Sequence, residues 1–146
     1  MRVYLDNCCF NRPFDDQSSL TIRLETEAKL SIQEQIRVKK LALGWSYILD
    51  YENQANPFLE RRFEIQEWKA LADSFTLETP DILVSMKQIM RYGLKALDAL
   101  HIACAIALKC DYFLTVDKGI LKKAFHISNI VILSPIDFVI QQETNL

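Results

Sequence analysis

No apolar run in this chain approaches the ~18–20 residues that span a bilayer, so no transmembrane helix is expected. The N-terminus opens directly on a strand-like Arg2-Val3-Tyr4-Leu5 and lacks the long apolar stretch of a signal peptide. A cytoplasmic location is the resulting expectation. Histidine is scarce, with only His101 and His126 present. The four cysteines, Cys8, Cys9, Cys104 and Cys110, match no zinc-ligand spacing. They read as reduced, partly buried thiols. Basic charge is not in surplus either: 17 Lys+Arg face 19 Asp+Glu, a net charge of −2 that gives no global pull toward nucleic acid. Repeats, low-complexity tracts and evident linkers are missing. What is present is a globular composition, 50% hydrophobic and 25% charged over 146 residues, enough for one domain over residues 1–146 with a proper core.

Apolar periodicity alternates between short buried runs and helical stretches. Strands are predicted at Arg2–Leu5, Leu41–Tyr47, Phe75–Leu77, Tyr112–Thr115 and Ile130–Leu133, with Gly44 weakening the second. Helices are predicted over Ser18–Val38, where Leu20, Leu24, Ala28, Ile32 and Ile36 recur every fourth residue, and over Ile48–Ala55. Further helices are expected at Phe58–Ser74 behind Asn56-Pro57, and after Thr79-Pro80 with Gly93 as the stop. Ala96–Leu108 presents Ala99, Ala103 and Ala107 for close approach to a sheet, Gly119–Phe125 is short, and Ser134-Pro135 opens the last helix. Asp15, Asp16 or Ser18 can cap the first long helix, while Asp81 and Asp137 read as first-turn acids. Alternating strands and helices imply an α/β fold with a mainly parallel sheet covered on both faces.

Ligands of such sheets bind beyond the carboxyl ends of the strands. Asp6 closes the first strand, and Asp117 closes Tyr112-Phe113-Leu114-Thr115-Val116-Asp117. Asp98 and Glu52 stand where later segments change character. Carboxylates that converge repel one another, so their shared pocket makes sense chiefly as a cation site. One or two divalent cations there suit phosphodiester hydrolysis without a histidine base. Asp6 and Asp117 are then inner ligands, Asp98 and Glu52 bind directly or through water, and Thr115 orients a water or phosphate. Each assignment has a structural rival. Asp6 can cap a loop and Asp117 the helix after it, while Asp98 can pair with Lys95. Glu52 can lie on a solvated face, with Asp50 competing for its role. His101 reads as a packed helix residue. Asn7 can donate to a ligand or to Asp6. Arg12, Arg91, Lys95 and Lys118 are the basic residues nearest the acids, whereas Arg37-Val38-Lys39-Lys40, Arg61-Arg62 and Lys122-Lys123 read as solvated surface.

Taken together, Leu5-Asp6-Asn7, Glu52, Leu97-Asp98-Ala99-Leu100-His101-Ile102-Ala103 and Thr115-Val116-Asp117 resemble the PIN-domain family of metal-dependent ribonucleases. The resemblance covers almost the whole chain. It implies a three-layer α/β/α fold with a mainly parallel sheet of about five strands. It also implies an endoribonuclease that uses Mg²⁺ or Mn²⁺, the toxin of a toxin–antitoxin pair with an antitoxin protein partner, and a homodimer. By the same resemblance Asp6, Glu52, Asp98 and Asp117 hold metal, and Thr115 is the hydroxyl residue before the last acid. The residue after the first acid, often threonine or serine in that family, is Asn7 here. Asn7, the acidic balance and the lack of a basic stripe motivate an alternative, a PIN-like RNA- or protein-binding module of weak catalysis. Phosphoryl transfer through an aspartyl intermediate ranks below both, because Cys8 stands where a second aspartate is needed.

Overall fold

The computed structural model describes residues 1–144. Five strands, β1 (Arg2–Leu5), β2 (Ala42–Ser46), β3 (Ser74–Thr76), β4 (Tyr112–Leu114) and β5 (Val131–Leu133), form one sheet in the order β3-β2-β1-β4-β5. Every pairing is parallel, with Val3 opposite both Leu43 and Tyr112, and Phe113 opposite Ile132. Val3, Tyr4 and Leu5 are all fully buried, as a central parallel strand covered on both faces requires. Gly44 has a packing reason: a Cβ there would stand 2.8 Å from Cys110 Sγ and 3.2 Å from Leu108 Cδ1.

The helices are α1 (Asn7–Asn11), α2 (Leu20–Arg37), α3 (Tyr47–Gln54), α4 (Leu59–Lys69), α5 (Pro80–Met90), α6 (Ala96–Ala107), α7 (Lys118–Leu121) and α8 (Pro135–Thr144). Single 3-10 turns cover Arg12–Phe14 and Ala124–His126. The layers are those of a PIN-like α/β/α fold: α6 lies on β2 and β4 and packs along α5, while α2 packs on α8. Ala99 and Ala103 are buried as their spacing predicts, but Ala107 is exposed at the last turn of α6.

Caps set several boundaries. Thr79 Oγ1 accepts from Ile82 N at 3.2 Å behind Pro80 at the helix start, and Gly93 at φ +89° lets the chain leave after α5. Four expectations are corrected. Ser19, not an earlier residue, caps α2 through Ile22 N. Pro57 is not a first-turn proline, because α4 begins at Leu59 with Phe58 as its flanking residue. That helix also stops at Lys69, freeing Ser74 to pair with Gly44 in the sheet. The segment after Asp117 splits into α7 and a 3-10 turn.

The order β3-β2-β1 runs outward from the centre, and β4-β5 then runs the other way. The direction reverses between β1 and β4, which makes that crevice the topological switch point. Asp6 N–H donates to Leu114 O at 2.9 Å, tying the two strand ends together at the crevice.

Candidate active site

Asp6 sits at the switch point with only 7% of its surface exposed. Its carboxylate is held by three donors: Asn7 N–H to Oδ1 at 2.8 Å, Thr115 O–H to Oδ2 at 2.7 Å, and the Cys8 thiol to Oδ2 at 3.4 Å. Asp6 is thus the cap of α1 as well as a candidate ligand. Thr115 is fully buried, and its Oγ1 also accepts from Asp117 N at 3.1 Å. One hydroxyl therefore sets the position of two acids. Asp117 likewise does both things open to it: Oδ1 caps α7, accepting from Gly119 N at 2.7 Å and Ile120 N at 3.2 Å, and the residue stays exposed.

Asp98 lies in the first turn of α6, half-buried. Its carboxyl is pushed above the ordinary range first by burial and then by the charges of Asp117 and Asp6, while His101 and Lys95 pull it back. Asp6, Asp98 and Asp117 therefore share one electrostatic field. Among the described residues none of the three has a cation within 4.0 Å, Lys95 included.

Glu52 is handled differently. Its Oε2 accepts from Asn7 Nδ2 at 3.1 Å, and Oε1 is bonded to His101 Nε2. Asn7 thus directs its amide to Glu52, and only its backbone N–H to Asp6. Its Oδ1 is buried without a partner. Asp50, the competitor of Glu52, is engaged elsewhere with Lys69 Nζ and Trp45 Nε1, each at 2.9 Å.

His101 is packed on α6 as expected, 1% exposed, but its bonding to Tyr4 and through it to Ser46 is not written in the sequence. His101 Nδ1 meets Tyr4 Oη at 2.7 Å, and Tyr4 Oη meets Ser46 Oγ at 2.6 Å. Burial pushes the Tyr4 phenol well above its usual range, so it stays protonated. The polarity of this chain can be deduced for an uncharged imidazole. Glu52 can only accept, so Nε2 donates to it and Nδ1 accepts. Tyr4 then donates to Nδ1, and Ser46 donates to Tyr4. Ser46 Oγ remains free to accept from Leu49 N at 3.4 Å, capping α3. The residues are 42 to 97 positions apart in sequence, so no local pattern announces them.

Two clefts of about 520 Å³ lie away from these acids, one between α2 and α4 beside Gln33 and Trp68, the other beside Leu41 and Ala72. Neither is lined by Asp6, Glu52, Asp98 or Asp117, and the open carboxylate edge at the switch point is the better candidate.

The family described as "PIN domain" matches residues 3–126. The chain belongs to the PIN-domain family. Among curated proteins no match is found. Similar solved structures include FitAcB from Neisseria gonorrhoeae, at 15% identity and TM-score 0.61 over 91% of this chain and 97% of that chain. VapBC2 from Rickettsia felis, bound to a DNA fragment from their promoter, gives 13% identity and TM-score 0.58 over 90% and 97%. DNA-bound VapBC from Salmonella typhimurium gives 15% and 0.55 over 92% and 98%. At these identities the likeness shows the PIN fold.

The donor chemistry of this PIN domain suits a hard divalent cation, because the charges of Asp117 and Asp6 raise the proton affinity of Asp98 and none of the three has a cationic partner among the described residues. Among the described residues, however, no three acid, histidine or cysteine side chains are gathered closely enough to hold an ion.

Proposed function

We propose that this PIN-domain protein is an Mg²⁺- or Mn²⁺-dependent endoribonuclease that hydrolyses RNA phosphodiester bonds. We further propose that it is the toxin of a toxin–antitoxin pair, held in check by a protein antitoxin. The observation that carries the nuclease reading is the shared field of Asp6, Asp98 and Asp117 at the switch point. Membership of a family of hydrolases acting on nucleic acids supports it. Likeness to the FitAB and VapBC assemblies supports the partnership.

Asp6, Asp98 and Asp117 would hold the cation, with Glu52 at the rim. The bound ion supplies Lewis-acid polarisation of the phosphoryl oxygens and a water acidic enough to attack at neutral pH. The protein's own contribution is orientation. Thr115 and Asn7 N–H fix the Asp6 carboxylate at the switch point. Asp117 spends Oδ1 on α7 and keeps Oδ2. Asp98, half-buried in the first turn of α6, would offer its carboxylate to the ion, whose charge would relieve the repulsion from Asp117 and Asp6. Glu52 is locked by Asn7 and His101 and acts from a fixed position.

The test is cleavage of a fluorescent single-stranded RNA by nuclease-free preparations. Wild type should cut in Mn²⁺ and stop in EDTA, and Asp6→Asn should lose about 100-fold or more, as removal of a principal electrostatic group does. Cutting by Asp6→Asn at the wild-type rate would overturn the mechanism. The engagement of both Glu52 oxygens favours the alternative of a weakly catalytic RNA- or protein-binding module. Metal-dependent turnover refutes that alternative.

A further inference from the structure

Two segments flank the acids and carry no negative charge of their own. Between Asp81 and Asp98 the charged residues are Lys87, Arg91 and Lys95, and between Asp117 and Asp137 they are Lys118, Lys122 and Lys123. In a chain of net charge −2, these cations lie on α5, in the turn that leads into α6, and on and just after α7, close in sequence to Asp98 and Asp117. The fold joins the segments: Lys123 Nζ donates to Gly93 O at 2.8 Å. Where they meet, three aromatic rings adjoin. Tyr92 and His126 stack, parallel within 3° with centroids 5.1 Å apart, and Phe125 leans on His126 with centroids 3.9 Å apart and the rings tilted by 36°.

This cluster is not core. Tyr92 and His126 are exposed, and Phe125 is 79% exposed at the open end. An isolated surface phenylalanine needs no explanation, but a cluster of exposed π-faces with lysine and arginine close by in sequence has a known physical use. Bases stack on such rings whatever their sequence, while lysine and arginine neutralise the phosphates between them. A duplex hides its base faces, so the ligand class is single-stranded.

We propose that Phe125, His126 and Tyr92 form a base-stacking platform, with Arg91, Lys95, Lys118 and Lys122 as phosphate contacts, that leads single-stranded RNA to the carboxylates. This rests on the nuclease reading for its choice of ligand. It adds a binding surface that is separable from the acids. Phe125 supplies the outermost stacking face. Lys118 directly follows Asp117, and Lys95 precedes Asp98 by three residues, so a strand held by these cations passes the acids.

The experiment measures fluorescence anisotropy of a labelled single-stranded RNA of about 12 nucleotides, within the usual footprint of such platforms. The Asp6→Asn background prevents cutting. Phe125→Ala should weaken binding about 5- to 100-fold, the loss expected for one stacked base, with an unchanged salt slope and unfolding midpoint. Phe125→Trp should retain or tighten binding. Lys122→Ala should weaken it and lower the salt slope by about 0.7. Affinity of Phe125→Ala within about twofold of the parent, against this 5- to 100-fold expectation, overturns the platform. So does a loss of binding matched by a change in oligomeric state, which would make Phe125 a protein contact. The cleavage assay separates the two readings: metal-dependent cutting with unaltered Phe125→Ala binding removes the platform alone. Platform-dependent binding without any cutting removes the nuclease alone, and no RNA binding by the parent removes the platform.

Discussion

Lys29 is 3% exposed, and no acid lies within ion-pair distance of it among the described residues. Burial, only partly offset by Cys9 and Glu64, lowers its ammonium from 10.5 to about 7. Each pH unit of displacement is worth about 1.4 kcal/mol, so a charged Lys29 costs the fold at most about 5 kcal/mol. Its Nζ stands 5.6 Å from the Phe10 ring centroid and 5.9 Å from that of Trp68. These contacts return about 1–2 kcal/mol together, leaving desolvation the larger effect. The sign follows from proton binding. Below pH 7 both folded and unfolded chains hold the proton, and the full cost is present. Between about 7 and 10.5 the unfolded chain holds more protons, so stability rises with pH. Lys29→Met keeps an unbranched chain in the same space. It should raise the unfolding free energy by about 2–4 kcal/mol at pH 6, with most of that gain gone by pH 9, where the wild type has recovered about 1.4 kcal/mol for each unit above 7. Urea titrations of both proteins, followed by tryptophan fluorescence, read the difference at each pH, and other titrations cancel in the subtraction. A less stable Lys29→Met at pH 6, or a difference that does not change with pH, would refute the reasoning.

The relay and the acid cluster make predictions of their own. His101→Ala should lower stability by about 1–3 kcal/mol through the buried hydroxyl and carboxylate it leaves short of a partner, and a cycle with Tyr4→Phe should show strong coupling; additive losses would break the relay. Asp98→Asn should raise the Tm of the metal-free protein at neutral pH and shrink the further rise that Mn²⁺ produces, whereas an unchanged metal-free Tm would argue against mutual repulsion. Wild type in EDTA should gain stability relative to Asp98→Asn as pH falls through the raised Asp98 carboxyl, since the fold binds that proton more tightly than the unfolded chain does.

Much of the frame was legible because it is local. Runs such as Val3-Tyr4-Leu5 and Phe113-Leu114 carry a parallel strand's double-sided burial in their composition, and Thr79-Pro80 announces a capped helix. The α1 helix was not legible: Asn7-Cys8-Cys9-Phe10-Asn11 has no helical period, and Asp6 starts it by accepting from Asn7 N. The α4 boundary failed because Asn56-Pro57 imitates a helix start that Phe58 N–H to Asn56 Oδ1 turns into a loop contact. The places of Asp6 and Asp117 just beyond β1 and β4 were readable from the apolar runs they close. The locking of Glu52 by His101 was not, since it depends on a histidine on α6 meeting a tyrosine on β1 across the core.

The charge arrangement of this PIN domain gives the acids their meaning. Cations are available to this chain, and it spends them on other acids: Arg2 on Asp73 at 2.9 Å, Arg12 on Asp15 and Glu25 at 3.0 and 3.3 Å, and Lys69 on Asp50 at 2.9 Å. Asp6 instead receives only uncharged donors, each of which orders the carboxylate without neutralising it. Ordering a charge while withholding a counter-charge is costly for a structure that needs only to fold. The cost is reasonable where the counter-charge comes from outside, as a divalent ion does. The cations of Lys95 and Lys118 stand beside the acids in sequence yet outside ion-pair reach of them. On the proposed nuclease reading they would meet the phosphates of the RNA along the rim of the edge whose carboxylates would hold the ion.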